Sequence, residues 1–383
     1  LIKTVHHRLA TSEDILPIMA LYHKTGSGLT QDQLFQDFQK LKFAVESTES
    51  IWFVSEKQGK LYALISVLID SLQGLAKISR IMVEPCEQSN IIVRELLRYV
   101  LIHLQENLTD VEVIYTTTLT IPLHAQEITV LEGFKIMGVF PNAVGADQSK
   151  LNGLTVFYKD EVIRQKRHSN FRLHPVIRPF FNICLKQMNL KLPLFEKTPS
   201  SIPQVDYDPV PPLEIIHAPL LVERKFRKLL EHQSQIINFY PFYKPNTLIC
   251  DPDQEVEIYV KISENINFAA IIGEHLEKTV NPVALYSAVL QLLRQQKVSY
   301  VEIINDAADI YGTQYILDAT FTPCAYIPAF KRQGETRRDY VVFGKSFEYL
   351  CQPDLNIGKH YLEFFKQYFK LERRNYFRKS SLD

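Results

Sequence analysis

The residues able to do chemistry are scattered through this sequence rather than gathered in one signature. The cysteines, Cys86, Cys184, Cys250, Cys324 and Cys351, stand far apart, odd in number and without a CxxC pair. That spacing argues against a disulfide framework and against a thiolate zinc site, and it fits a reducing, cytoplasmic setting. Cys86 follows Pro85 at a predicted helix start, where a thiolate is stabilised, although an incidental thiol is the plainer reading. His6-His7 and the other histidines lack metal-ligand spacing such as HExxH, so no metal is expected. Arg337 and Asp339 lie between two predicted strands and are candidates to line a pocket for a charged substrate; an exposed ion pair is the alternative. Asp306 and Asp309 follow a strand, where ligand-facing groups often sit in α/β folds, against the reading of solvated loop acids. Arg164, Lys166, Arg167, Arg172 and Arg178 read as a solvated basic segment or, more sharply, a phosphate-contacting patch.

Composition bounds these readings. The 383 residues suit two domains or three, and 46% apolar residues leave ample material for a core. With 43 Lys+Arg against 43 Asp+Glu, no global field favours nucleic acid or an anionic membrane, and neither partner is expected. No apolar run approaches the roughly 18–20 residues of a spanning helix, and no secretory apolar region opens the chain.

The elements follow from periodicity. A strand over 5–9 leads to Thr11-Ser12-Glu13-Asp14, a helix start with a capping hydroxyl and acids at the positive helix end. Apolar residues at helical spacing continue through Ile15, Ile18, Met19 and Tyr22, and a second helix is predicted over 31–42. Strands over 51–56 and 61–69 flank the turn Lys57-Gln58-Gly59-Lys60. A strand over 76–83 stops at Pro85, and a helix over 93–105 follows. Strand 111–117, helix 124–132 and strands over 134–140 and 155–158 complete a mixed α/β unit. Residues 193–212 are proline-rich and read as an extended connector.

Beyond the connector the pattern repeats. Val54-Ser55-Glu56 with Ala63-Leu64-Ile65 is answered by Ile262-Ser263-Glu264 with Ala270-Ile271-Ile272. The helix over 93–105 is answered by one over 283–296, and Gly133-Phe134…Pro141 by Thr320-Phe321…Pro328. The expected organisation is a first domain over 1–160, a basic then proline-rich connector over 161–213, and a second domain over 214–383 ending in a helix. There Tyr361, Phe364, Phe365 and Tyr368 repeat at helical spacing, as core packing does, ahead of a basic tail.

The first half resembles the GNAT acetyltransferase superfamily, and the second half is a weaker copy. Four pieces carry the resemblance: Ser12-Glu13-Asp14 after the first strand, the hairpin over 52–69, Ile81-Met82-Val83-Glu84-Pro85, and Leu131-Glu132-Gly133-Phe134-Lys135…Gly138. It implies an α/β (α+β) fold of two tandem GNAT-like domains, each a mixed, mostly antiparallel sheet flanked by helices. It also implies that the strand ending at Val83 splays from its neighbour and that Ile81, Met82 and Val83 meet the pantetheine arm of acetyl-CoA or another acyl-CoA. The family's next helix opens with Arg/Gln-x-x-Gly-x-Gly/Ala, which holds the pyrophosphate. Here that stretch is Gln88-Ser89-Asn90-Ile91-Ile92-Val93. Gln88 is retained, Ser89 and Asn90 can donate, and β-branched Ile91 and Val93 replace both glycines, crowding a phosphate and disfavouring any positive φ. The second half shows no separate cofactor strand and reads as a copy that has lost cofactor binding.

The activity implied is N-acyl transfer, an acetyl group moving from acetyl-CoA to a small-molecule or protein amine. Such a reaction needs a base for the amine, an acid for the leaving thiolate and donors for the oxyanion. The family's usual Tyr is replaced by Thr129, and by Ile316 in the copy. His124, near where the family often carries Asn, Glu84 at the end of the cofactor strand, and Tyr158 are the candidate proton carriers; a helix-start histidine, a surface carboxylate and a packed tyrosine are the plainer readings. Two rivals stand beside this expectation: a non-catalytic binding or scaffold protein made of degenerate acyltransferase domains, and a transferase with a carrier-linked acyl donor.

Overall fold

The structure is a computed structural model that describes residues 5–25, 33–119, 123–143, 151–195, 205–232, 240–348 and 357–379. Within those stretches the side chains of 118–119, 123–126 and 376–379 lie outside the description. The chain divides into two compact units. The first comprises Leu1–Ile136 and Leu154–Val162; the second comprises Met137–Gly153 and Ile163–Asp383.

In the first unit the order is β1 (His6–Leu9), α1 (Ile15–Lys24), α2 (Phe38–Glu46), β2 (Ser50–Lys57), β3 (Lys60–Asp70), β4 (Leu75–Val83), α3 (Ser89–Asn107), β5 (Val113–Leu119) and α4 (Leu123–Leu131). The strand β6 (Lys135–Pro141) and the strand β7 (Leu151–Tyr158) follow, and the outer part of each belongs to the second unit. The sheet runs β1-β2-β3-β4-β5-β7. Its first four strands are antiparallel neighbours, while β4 and β5 are parallel.

Side-chain alternation explains why this sheet is covered on both faces. Phe53, Ala63, Ile65 and Val67 pack with Ile92, Leu96, Leu97, Val100 and Leu104, the apolar stripe of α3. Their neighbours Trp52, Val54 and Leu64 point the other way, onto Ile15, Ile18 and Leu21 of α1. Between β2 and β3, Gln58 (φ 53°) and Gly59 (φ 74°) make the two-residue turn that twisted hairpins favour.

The start of α1 is anchored more firmly than a simple cap. Asp14 accepts from the main-chain N–H of Thr11 at 2.8 Å and from Arg8 Nη1 and Nη2 at 2.7 and 2.8 Å. Burial alone would raise the Asp14 pKa, but the Arg8 and Thr11 bonds outweigh it and hold the carboxyl below its usual range. A depressed carboxyl stabilises the folded state above the unfolded-state pKa, and that stability is lost as pH falls through the folded-state pKa. Asp14→Ala is therefore expected to lower stability by about 1.5–3 kcal/mol at neutral pH, with the difference shrinking in acid. Urea unfolding read by the fluorescence of Trp52, the chain's single tryptophan, checks it; an equal loss at both pH values would refute the assignment.

The second unit begins with short strands β8 (Arg172–Leu173) and β9 (Leu194–Phe195) around helix α5 (Arg178–Gln187). Then come β10 (Glu214–His217), α6 (Pro219–Glu231), β11 (Thr247–Cys250), β12 (Val256–Ser263), β13 (Phe268–Leu276) and α7 (Pro282–Gln295). They are followed by β14 (Tyr300–Asp306), α8 (Ile310–Asp318), β15 (Thr322–Gln333), β16 (Thr336–Ser346) and α9 (Lys359–Lys379). The sheet order β10-β11-β12-β13-β14-β16-β15, joined at Ala325 by Gly138 of β6, repeats the strand order of the first unit. By position, β12 matches β3 and β13 matches β4. This corrects two sequence expectations: the frame of the repeat shifts by one strand, and the second unit does have a strand in the cofactor-strand position. The frame shifts because Ile262-Ser263-Glu264, which matches Val54-Ser55-Glu56 of β2 by residue type, falls at the close of β12 instead.

Candidate functional site

The site is built where β4 leaves β5. The two strands pair only from Leu75–Ile78 to Val113–Thr116, although β4 continues to Val83 and β5 to Leu119. At the same point the β3–β4 register jumps, with Ser66 opposite Arg80 and Val67 opposite Ile78. Ser79 is therefore the extra residue of a β-bulge, a device that bends a strand and ends its pairing. Local bonds fix it: Ser79 Oγ lies 2.8 Å from Ser66 Oγ, and Thr116 Oγ1 donates to Ile78 O at 3.1 Å.

The ladder decides what the parted strand offers. Glu84 N donates to Tyr62 O at 2.7 Å, which places residues 84 and 82 in hydrogen-bonded register with β3. Antiparallel strands alternate, so the N–H and C=O of Ile81 and Val83 point away from β3, toward the side where β5 has departed. Ile81 is exposed, Met82 is buried and Val83 is half-buried.

A tight turn links this edge to α3. Ser89 Oγ accepts from Cys86 N at 2.8 Å and lies 2.8 and 2.7 Å from the carbonyls of Glu84 and Cys86. Ser89 N donates to Cys86 O, and both Ile91 N and Ile92 N donate to Gln88 O. Asn90 is exposed, and Ile91 is 58% exposed on the first helical turn. Among the described residues no positive φ occurs between 84 and 93, so the expected backbone conflict at Ile91 and Val93 does not arise. Ile91 stands outward, while Val93 turns inward and is buried.

Of the expected site residues, Ile81, Met82, Val83, Glu84, Gln88, Ser89, Asn90 and Ile91 are thus held together on one strand end, one turn and one helix start. The Glu84 carboxylate pairs with Lys60 Nζ at 2.9 Å and Lys24 Nζ at 3.8 Å. Tyr158 is not brought to this place. Lys159 N donates to Glu112 O at 2.9 Å, which sets the end of β7 beside the start of β5, at the closed end of the parallel pair. His124 lies on α4 with its side chain outside the described residues.

Arg337 and Asp339 are buried in the second unit. Asp339 accepts from Arg167 Nε and Nη2, from Tyr326 OH, and from Ala329 N at 2.9 Å. Arg337 donates to the carbonyls of Ala329 and Phe330. These bonds occupy both carboxylate oxygens, so the charged pocket expected from the sequence is instead a buried internal network. Arg167, expected on a solvated segment, is part of it.

The second unit parts its strands in the same way and then fills the space. β13 and β14 pair only from Phe268–Ala270 to Tyr300–Glu302, and Ile272 is the bulged residue. Tyr240 N donates to Ile272 O at 2.8 Å, and Tyr240 OH donates to Glu302 Oε2 on β14 at 3.1 Å. The Tyr240 and Tyr243 rings meet edge-on at 4.9 Å, and burial, reinforced by Glu302, drives the Tyr243 pKa well up. Helix α7 has its first N–H groups capped by Asn281 Oδ1 and opens with Pro282. Sequence reading missed Tyr240, because its contacts span long separations and no local pattern marks it.

Among the described residues Asp251, Asp253 and Glu255 bring their carboxylates close together. Val256 N donates to Asp251 at 2.8 Å and Lys278 pairs with Glu255, so the group is held by protein partners. No helix among the described residues is long and apolar enough to cross a membrane.

No family model and no curated protein matches the sequence. Among solved structures, the chain is similar to a probable acetyltransferase from Staphylococcus epidermidis, at 14% identity and TM-score 0.36, covering 41% of this chain and 99% of that one. It is also similar to a ribosomal-protein-alanine N-acetyltransferase from Brucella melitensis, at 15% identity and TM-score 0.35, covering 40% and 99%. A third is an aminoglycoside 6'-acetyltransferase type Ii, at 18% identity and TM-score 0.33, covering 40% and 96%. Likenesses this distant carry no argument about activity. The fold reading rests on the chain's own topology: β4 parts from its neighbour β5 ahead of α3, as the GNAT resemblance implies, and the structure adds the bulge and the parallel pairing.

Proposed function

We propose that the chain is an N-acyltransferase whose first unit holds the acylated arm of a thioester donor. The parting of β4 from β5 after Ile78 and Thr116 carries this reading. It leaves the main-chain groups of Ile81 and Val83 to pair with an extended, amide-bearing arm as a surrogate strand. The second unit supplies an internal precedent, since a peptide N–H, that of Tyr240, bonds the bulge carbonyl at the equivalent parting. Because Tyr240 fills that place, the first unit is the one assigned to the donor, and acetyl-CoA is the simplest donor to try.

In the reaction the amine nitrogen adds to the thioester carbonyl, the C–S bond breaks, and the amine's proton ends on the sulfur. Glu84 and His124 are the candidate proton carriers, and Tyr158 stands too far along β7 to serve. Donors of CoA type fit unevenly. The pantetheine arm suits the edge of β4, while the turn over 84–89 does not suit a diphosphate, so no step is routed through that end. A non-catalytic binding protein is the second reading, favoured by the two lysines that hold Glu84 in ion pairs.

Calorimetric titration with acetyl-CoA and a longer acyl-CoA, followed by thiol release in the presence of amines, tests the proposal. Val83→Pro removes a gap-facing N–H and leaves the β3 ladder intact, as proline is tolerated on an open strand edge. It is expected to weaken donor binding about tenfold, the equivalent of one lost hydrogen bond, with little change in stability. Met82→Pro removes a ladder N–H instead and is expected to destabilise the unit. Equal donor binding by wild type and Val83→Pro would remove the parted edge from the site. Binding without thiol release would select the second reading.

A further inference from the structure

We propose that the first unit recognises its donor by the acylated pantetheine arm alone, with no net contribution from the nucleotide end of CoA. The inference rests on the acyltransferase reading above. The chain passes from the end of β4 at Val83 to the start of α3 at Ser89 through a short turn. An arm lying along β4 and leaving at its carboxyl end must meet that turn and the first turn of α3. In proteins that hold a diphosphate there, free N–H groups and close backbone approach do the work.

Three features of this turn oppose that role. First, four of its main-chain N–H donors are already engaged, although the start of α3 carries no side-chain cap. Cys86 N is bonded to Ser89 Oγ at 2.8 Å, Ser89 N to Cys86 O at 3.1 Å, and Ile91 N and Ile92 N to Gln88 O at 3.0 Å each. The Ser89 hydroxyl takes the N–H that a phosphate oxygen would otherwise accept. Second, Ile91 places a branched hydrocarbon, 58% exposed, on the helix surface where an anion would need to approach. Third, the turn carries the carboxylates of Glu84 and Glu87, and Lys60 and Lys24 are already paired with Glu84. A polyanionic nucleotide gains nothing there, whereas an uncharged amide arm loses nothing.

The ligand class is therefore an acyl-pantetheine thioester, either as a small thioester or as the prosthetic arm of a carrier protein. The test compares acetyl-pantetheine, acetyl-CoA and an acetylated acyl carrier protein by titration calorimetry against the full chain, at low and high salt. Acetyl-pantetheine and acetyl-CoA are expected to bind within about threefold of each other, with little salt dependence. Tighter binding of the acylated carrier would identify the carrier as the source, and equal binding would identify the small thioester. Acetyl-CoA binding at least about tenfold tighter than acetyl-pantetheine, and weakening with salt, would overturn the inference while leaving the acyltransferase reading intact. Binding of none of the three would instead overturn the reading on which it rests.

A double substitution supplies the reverse test. Ser89→Gly with Ile91→Gly frees Cys86 N and clears the helix surface. It is expected to raise acetyl-CoA affinity about tenfold and to leave acetyl-pantetheine affinity unchanged. No selective gain for acetyl-CoA in a folded variant would show that these residues do not set the preference. Should the variant fail to fold, the wild-type comparison decides alone.

Discussion

Replacing Arg167 by alanine is expected to destabilise the second unit by about 3–5 kcal/mol. The side chains of Arg167 and Asp339 are 1% and 0% exposed, and the guanidinium meets the carboxylate through Nε at 2.9 Å and Nη2 at 2.6 Å. Burial works against the Arg167 charge, but Asp339 outweighs it and the net pKa shift is upward. Removing the guanidinium leaves the buried Asp339 carboxylate with Tyr326 OH and Ala329 N as its partners among the described residues. Arg167 Nη1 also donates to Lys191 O at 2.8 Å, which secures the segment after α5. Arg167→Lys is expected to recover part of the loss, since lysine keeps the charge but lacks the planar fork. A double Arg167→Met/Asp339→Leu variant should be less damaged than Arg167→Ala, yet not restored, because Ala329 N loses its acceptor. Hydrogen exchange at the amides of β15 and β16 reads the effect on this unit directly. A change below about 1 kcal/mol for Arg167→Ala would mean that water reaches Asp339 and that the pair is not a buried one.

Arg167 also shows where sequence reading stops. Both partners are visible as charges in the sequence, but 172 positions separate them, and burial reverses their natural reading as solvated groups. Features written in local pattern were legible. The β2–β3 turn at Gln58-Gly59, the apolar stripe of α3, the cap before α1 and the stop of β4 before Pro85 all depend on neighbours a few residues apart. The stretch from Ile81 to Ile91 is legible as local structure for the same reason, its strand end and turn being locally encoded, although α3 opens at Ser89 and not at 93. What the sequence hides is the state of that stretch. The bonds that use up Cys86 N and Gln88 O, and the pairing of Glu84 with Lys60 and Lys24, appear only in three dimensions. The strand frame of the second half is hidden for a related reason: short matches such as Ile262-Ser263-Glu264 to Val54-Ser55-Glu56 carry residue type but not which strand partners which.

Tyr240→Ala is expected to cost the second unit about 3–5 kcal/mol, the loss seen when a large buried aromatic is truncated. Tyr240 is 8% exposed and ties the parted strands by two different bonds, its main-chain N–H to Ile272 on β13 and its hydroxyl to Glu302 on β14. Tyr240→Phe keeps the ring against Tyr243 and removes only the hydroxyl, so its expected loss is about 1.5–3 kcal/mol, the range for a bond to a charged group. The ordering of the two variants separates packing from hydrogen bonding. The amide of Tyr240 itself is expected to exchange slowly although it lies outside any helix or strand, because its proton is committed to Ile272 O. Donor binding, assigned to the first unit, should be unchanged in Tyr240→Phe. Rapid exchange of the Tyr240 amide, or a Tyr240→Ala variant within about 1 kcal/mol of wild type, would show that the second parting is not filled. In that case the asymmetry between the units, and with it the assignment of the donor to the first unit, would lose its physical basis. A filled second parting gives a physical reason to assign the proposed donor to the first unit although both units share one strand order.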